Sequence, residues 1–291
     1  MANKYHNGTT WELPFGQVSE LELQADFGQF ELVPVEPGGR PRLELSHGSA
    51  ERTSVHVDTY GQTVRVALEP DHTFHLFGGW ECRATVYVPR DVRAHVQTSA
   101  GTVRVRDLEG CELGIKANAG KIELVRVHGL LHLGADAGSV TGHDVGGLLN
   151  VETQAGSVRL VVTELQPGKH SIRATMGSVR LELARGLDVC LETHTSLGSI
   201  RSSYPSRQGA AAKLQLSTEM GSLRIEESSL LARPPRPQPR PEPAPSGPAS
   251  ETPSNAAEQS DPELERILKM VEAGELSAQD ADELLRAMGR V

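Results

Sequence analysis

Along most of this chain apolar and polar residues alternate, and a glycine interrupts the alternation at a nearly fixed interval. The glycines sit in short cassettes: Ser-Ala-Gly101-Thr-Val, Asn-Ala-Gly120-Lys-Ile, Asp-Ala-Gly138-Ser-Val, Gln-Ala-Gly156-Ser-Val, Thr-Met-Gly177-Ser-Val, Ser-Leu-Gly198-Ser-Ile and Glu-Met-Gly221-Ser-Leu. Their spacings are 19, 18, 18, 21, 21 and 23 residues. A period of about 20 residues is too short for a two-helix repeat and suits one coil of stacked strands. Aligned on the glycine, the position two places after it reads Val103, Ile122, Val140, Val158, Val179, Ile200, Leu223. Five places before it stand Val96, Ile115, Leu133, Val151, Ile172, Thr193, Leu216, and three places before it the residue is always Ala or Thr. Apolar residues at alternate positions on both sides of a glycine describe two short strands meeting at a corner. One coil cannot bury its own apolar face, so stacking must supply the core. The pattern predicts an all-β fold, a β-solenoid resembling a parallel β-helix, with coils of about 20 residues.

Residues 18–90 also read as strands, among them Leu21-Glu-Leu23, Phe30-Glu-Leu32, Val64-Arg-Val66 and Val86-Tyr-Val88, but without the strict period. They are expected to be irregular early coils that cap one end, since an open end is an unpaired edge. The loop His72-Thr-Phe74-His-Leu76-Phe77-Gly-Gly-Trp80 concentrates aromatic residues. It reads as an apolar cap joined by Trp11 and Phe15, or as a surface that meets a membrane or partner. From Ala232 to Ser260 the composition turns to proline and small polar residues, a disordered spacer. After it, Asp261-Pro262 opens a helix with Leu264, Ile267, Leu268 and Val271 on one face, closed by Gly274. Ser277-Ala-Gln-Asp280 starts a second helix carrying Leu284, Leu285 and Met288. A hairpin this small cannot bury a stable core alone, so these seven apolar side chains are candidates for docking a protein partner or a second copy. The expected organisation is an N-terminal arm (1–14), a β-solenoid (15–231), a Pro-rich linker (232–260) and a helical hairpin (261–291).

Composition narrows the function. The formal charge of −9 gives no general attraction to nucleic acid, and sequence-specific nucleic-acid binding is not expected. Cys82, Cys111 and Cys190 have no metal-type spacing and suggest no disulfide framework. The start lacks a signal-peptide core and no apolar run is long enough to span a bilayer, so the expected location is the cytoplasm or the membrane periphery. No cofactor motif, nucleophile elbow or phosphate loop is present.

The outward columns hold the candidate chemistry. Three places after the glycine, the last four cassettes carry Arg159, Arg180, Arg201 and Arg224; one place after it they carry Ser157, Ser178, Ser199 and Ser222. Stacked like charges repel unless something neutralises them. A polyanion or an anionic membrane surface would do so, since arginine forks and serine hydroxyls bind phosphate and carboxylate. The alternative is a solvated face with Glu182, Glu192, Glu219 and Glu226 as internal partners. His128, His132 and His143 lack a completing ligand set and read as surface histidines rather than a metal site. Asp136, Asp144 and Glu152 are the carboxylates a polysaccharide-cleaving enzyme would need, but short coils leave little room for a cleft.

The Ala-Gly-Ser-Val cassettes, led in by Val86-Tyr-Val88-Pro89, resemble the bacterial putative-adhesin β-solenoid family, a domain of unknown function, over roughly residues 15–228. Glu265-Arg-Ile-Leu-Lys-Met-Val-Glu-Ala-Gly-Glu-Leu-Ser resembles the SHOCT-like helical module. Together the two modules look like envelope-stress proteins of the LiaX and YvlB type, in which the helical module comes first. The resemblance implies a non-enzymatic scaffold in cell-envelope homeostasis and supplies no catalytic residues. A self-assembling structural polymer is the alternative.

Overall fold

The computed structural model describes residues 6–7, 9–14, 20–46, 53–70 and 82–234. The aromatic loop at 72–80, Phe15 and the helical residues 261–291 lie outside the described residues. The described chain is all-β. Eleven strands follow one another: β1 (His6–Asn7), β2 (Thr10–Glu12), β3 (Glu20–Pro34), β4 (Arg42–Leu45), β5 (Thr53–Tyr60), β6 (Thr63–Pro70), β7 (Arg83–Val88), β8 (Arg93–Leu165), β9 (Gly168–Arg185), β10 (Val189–Ser202) and β11 (Ala212–Leu231). They form one open sheet whose main path runs β1-β2-β4-β7-β3-β8-β9-β11-β10.

From β3 onward this path is parallel and in register at the glycines: Gly28 faces Gly101, Gly156 faces Gly177, Gly177 faces Gly221 and Gly221 faces Gly198. Within β8 the chain returns over itself, so that the carbonyl oxygen of Gly101 lies under Gly120, that of Gly120 under Gly138, and that of Gly138 under Gly156. At Gly177 (φ +142°) and Gly221 (φ +147°) both reasons for glycine operate together. The backbone occupies the region L side chains avoid, and a Cβ would fall inside the van der Waals envelope of the neighbouring glycine's carbonyl oxygen.

The inward columns make the core. Val103, Ile122, Val140, Val158, Val179 and Leu223 are all buried, as are Val96, Ile115, Leu133, Val151, Ile172 and Leu216. Burying a Val or Leu side chain contributes about 1.5–3 kcal/mol, so each continuous column is a substantial share of the stability.

Two features depart from the expectation. Residues 20–34 are not irregular: Leu23, Ala25, Phe30 and Leu32 pair with Val96, Thr98, Val103 and Val105 as a full member of the stack. Among the described residues the departures from the parallel stack lie in β1 and β2 and within 35–92. There β6 and β7 extend the two arms of β3 in parallel, and β5 and β4 then pair with them antiparallel. Trp11 and Leu13 are buried in the same core. Second, stacking does not follow chain order. β11 inserts between β9 and β10, leaving the Gly198 coil outermost. This outermost strand has weak apolar columns, with Thr193 and Ser202 where β11 beside it has Leu216 and Ile225, and β9 beyond has Ile172 and Leu181.

Candidate functional site: an arginine column at the corner

The register that aligns the glycines also aligns the residues after them. Ser157, Ser178, Ser222 and Ser199 form one row, and Arg159, Arg180, Arg224 and Arg201 form the next. The spatial order is therefore 159-180-224-201 rather than the order of the chain. Strands lie about 4.8 Å apart, which sets the rise between successive arginines. These residues, with Val158, Val179 and Leu223 beneath them, line a groove of about 410 Å³. All four arginines are exposed.

The expected internal neutralisation is mostly missing. Arg224 Nε donates to Glu226 Oε1 at 2.6 Å. Among the described residues Arg159, Arg180 and Arg201 have no ion pair. Glu192 accepts instead from Gln215 Nε2 at 2.7 Å. Three guanidinium groups in register therefore face solvent with their charge unmatched, an arrangement that favours a bound anion.

The same column looks different nearer β3. There it reads Glu31, Arg104, Glu123 and Thr141, with signs alternating. Arg104 Nη2 lies 2.6 Å from Glu123 Oε2, Lys121 Nζ 2.5 Å from Glu123 Oε1, and Arg106 Nε 2.8 Å from Glu31 Oε1. The Lys121 ammonium, helped by Arg104, holds the Glu123 carboxyl below its ordinary range against the opposing effect of burial.

The remaining sequence candidates do not converge. Asp136 and Glu152 line a second groove of about 540 Å³ on the arm before the corner, together with Lys116, His95 and His132. In it Gln154 Nε2 donates to Asp136 Oδ1 at 3.0 Å. Asp144 belongs elsewhere, in a buried cluster. Thr163 Oγ1 donates to its Oδ1 at 2.5 Å, and Arg233 Nη2 donates to its Oδ2 at 2.8 Å. His128 Nε2 lies 3.3 Å from both Thr163 Oγ1 and Asp144 Oδ1. So His128 is not a surface histidine. Burial lowers its pKa, with Asp144 pulling the other way. His132 and His143 are exposed, as expected. Among the described residues no group of three His, Cys, Asp or Glu side chains could hold a metal. Cys82, Cys111 and Cys190 are free thiols, and burial pushes Cys111 up to about 12.

No spacing in the sequence announces this cluster, because Arg233 stands at the head of the proline run. Its backbone N–H donates to Thr163 O at 2.8 Å and that of Ala232 to Arg185 O at 2.9 Å, so ordered packing continues past β11.

Comparison with known proteins adds the following. Residues 262–290 match the SHOCT-like domain family. Comparison with curated proteins finds no match. Among solved structures, a putative cell adhesion protein from Clostridium sporogenes is similar at 9% identity and a TM-score of 0.37, over 75% of this chain and 98% of its own. A putative adhesin from Bacteroides fragilis is similar at 12% identity and a TM-score of 0.39, over 74% and 95%. A putative adhesin from Parabacteroides merdae is similar at 12% identity and a TM-score of 0.31, over 76% and 96%. No helix of the described residues is long and apolar enough to cross a membrane.

Proposed function

We propose that the protein is a non-enzymatic binding scaffold whose parallel stack is a β-solenoid, and whose column of Arg159, Arg180, Arg224 and Arg201 holds a polyanion. The serine row beside it supplies further hydrogen bonds to phosphate or carboxylate oxygens. The observation that carries this reading is that three stacked, exposed arginines have no partner among the described residues, beside a stretch of the same column where every charge has one. The Pro-rich segment tethers the SHOCT-like domain as a docking module, through Leu264, Ile267, Leu268, Val271, Leu284, Leu285 and Met288, for a protein partner or a second copy. Two weak modules on one tether raise each other's effective concentration. The setting we infer is bacterial cell-envelope homeostasis, at the cytoplasmic periphery of the membrane, where anionic lipid headgroups offer the required chemistry. The test is binding of the full chain to phosphatidylglycerol vesicles and to inorganic polyphosphate, beside a variant with the four arginines changed to serine. Binding confined to the parent supports the reading. Equal binding by both, or by neither, overturns it.

A further inference from the structure

The outer face of β10 is a bare edge of the stack. Among the described residues β10 hydrogen-bonds as a strand to β11 alone. The loop after it covers only its beginning: Arg207 N–H donates to Val189 O at 3.0 Å, and Leu191 N–H to Ser206 Oγ at 2.9 Å. Among the described residues the edge from Glu192 to Ser202 stays open. The core shows through there. Ile200 is 39% exposed, whereas its column-mates Leu223, Val179 and Val158 are each 1% exposed. Thr193 is exposed where Leu216 and Ile172 are buried. β10 contains no proline and no lysine, and its charges are one of each sign, Glu192 and Arg201, so they do not repel an identical edge as a row of like charges would.

The opposite end of the stack offers no matching surface. Its two arms are continued by different strands, β6 and β7, which are covered by the antiparallel strands β5 and β4, and the sheet path tapers to the two-residue β1. Head-to-tail growth would need both ends to match. β5, the edge strand at that end, pairs with β6 alone, but only Thr53 of it is buried and it carries no second arm, so it does not continue the inward columns of β10; a two-fold arrangement sets β10 against an edge identical to itself.

We infer that this edge is covered by the same edge of a second copy, giving a closed dimer in which the two β10 strands run antiparallel. The register follows from the side-chain alternation. Pairing Thr193 of one copy with Ile200 of the other keeps both inward columns continuous, because residues opposite one another project to the same face. That register also sets Glu192 opposite Arg201, an opposite-charge pair formed twice by the two-fold. Arg201, with five donors, then serves both this pair and the anion column. The inference stands independently of the polyanion reading, since the edge exists whether or not the column binds anything.

Sedimentation equilibrium of the full chain tests it. The expected mass is twice the 31.3 kDa of the chain. Thr193→Pro, which puts a ring without an N–H into the edge, should give a monomer with an unchanged far-ultraviolet β spectrum. Because proline could also disturb the fold, a charge exchange provides the sharper arm: Glu192→Arg alone should weaken the dimer at least tenfold, and adding Arg201→Glu should restore it. A monomeric parent, a parent that grows into open polymers, or a dimer indifferent to all of these changes overturns the inference; the last outcome would move association to another surface.

Discussion

The coils of Gly28, Gly101, Gly120 and Gly138 and those of Gly156, Gly177, Gly221 and Gly198 share one backbone lattice yet present opposite electrostatics at one corner. In the first set the column after the corner alternates Glu31, Arg104, Glu123 and ends on Thr141, and its charges are matched within 2.5–2.8 Å. In the second it is four arginines, of which, among the described residues, only Arg224 is paired. The glycine lattice demands inward apolar residues and a corner without a side chain, and it leaves the outward columns unconstrained. The row before the glycine shifts less cleanly: it reads Phe27, Ala100, Ala119 and Ala137 in the first set, with Phe27 exposed, and Ala155, Met176, Met220 and Leu197 in the second, with the last three exposed. Three of the four strands that carry the arginines thus expose a large apolar residue beside them, against one of four in the other set.

The largest effect should come from breaking the shared lattice. Gly221→Ala forces a Cβ against Gly177 O at a backbone conformation L residues avoid, at a cost of about 4 kcal/mol or more. Gly209→Ala has positive φ (+84°) but meets nothing within 4 Å, and should cost about 1 kcal/mol. Urea unfolding of the two variants separates steric contact from backbone strain. Similar losses would mean that the glycine stack is not the constraint we describe.

Next comes His170, which occupies a column otherwise made of Leu113, Leu131, Leu149 and Leu214. It is fully buried, accepts the Leu149 N–H at Nδ1 (3.2 Å), and donates from Nε2 to Gln166 O (2.9 Å). Burial lowers its pKa below 6.5. The unfolded imidazole thus takes up a proton that the folded one refuses, so this group's contribution is present above the unfolded pKa and is lost as pH falls below about 6.5. His128, lowered by burial in the same way, adds to that slope. His170→Ala should cost about 2 kcal/mol at neutral pH and make the acid-side decline shallower. Thermal melts over a pH series would show this; an unchanged pH dependence would remove His170 from the account.

A small effect sharpens the electrostatic contrast. Glu226→Gln frees Arg224 from its one partner and should alter stability by no more than about 0.5 kcal/mol, because the pair is exposed. Anion binding should strengthen about twofold, as expected for one more available fork. Weaker binding to polyphosphate would mean that Glu226 orients Arg224 rather than occupying it.

Much of this was legible in the sequence, and its limits have physical reasons. The glycine period and alternating apolar positions exposed the inward columns, because close stacking admits few substitutes there. The Asp26-Phe27-Gly28-Gln29-Phe30 cassette fits every column, but 73 residues separate it from Gly101, and an interval that long hides a repeat. The exchange of β10 and β11 left a trace in Thr193 and Ser202, polar residues tolerable only in an outermost coil. The Asp144–Thr163–Arg233 cluster left none, since its members meet through the fold rather than through any spacing. The four arginines were visible as a column; that three lack partners was not, because it depends on where Glu182, Glu192 and Glu219 point.

The central claim is that this unmatched column holds a polyanion, and the salt dependence of binding tests it most directly. Four arginines that displace counterions from polyphosphate should give a slope of log K against log salt of about −3. Changing Arg159, Arg180, Arg201 and Arg224 to Ser should abolish both affinity and slope, while Arg104→Ser, in the matched half, should leave both intact. A parent that binds with no salt dependence, or a quadruple variant that binds like the parent, would contradict the account.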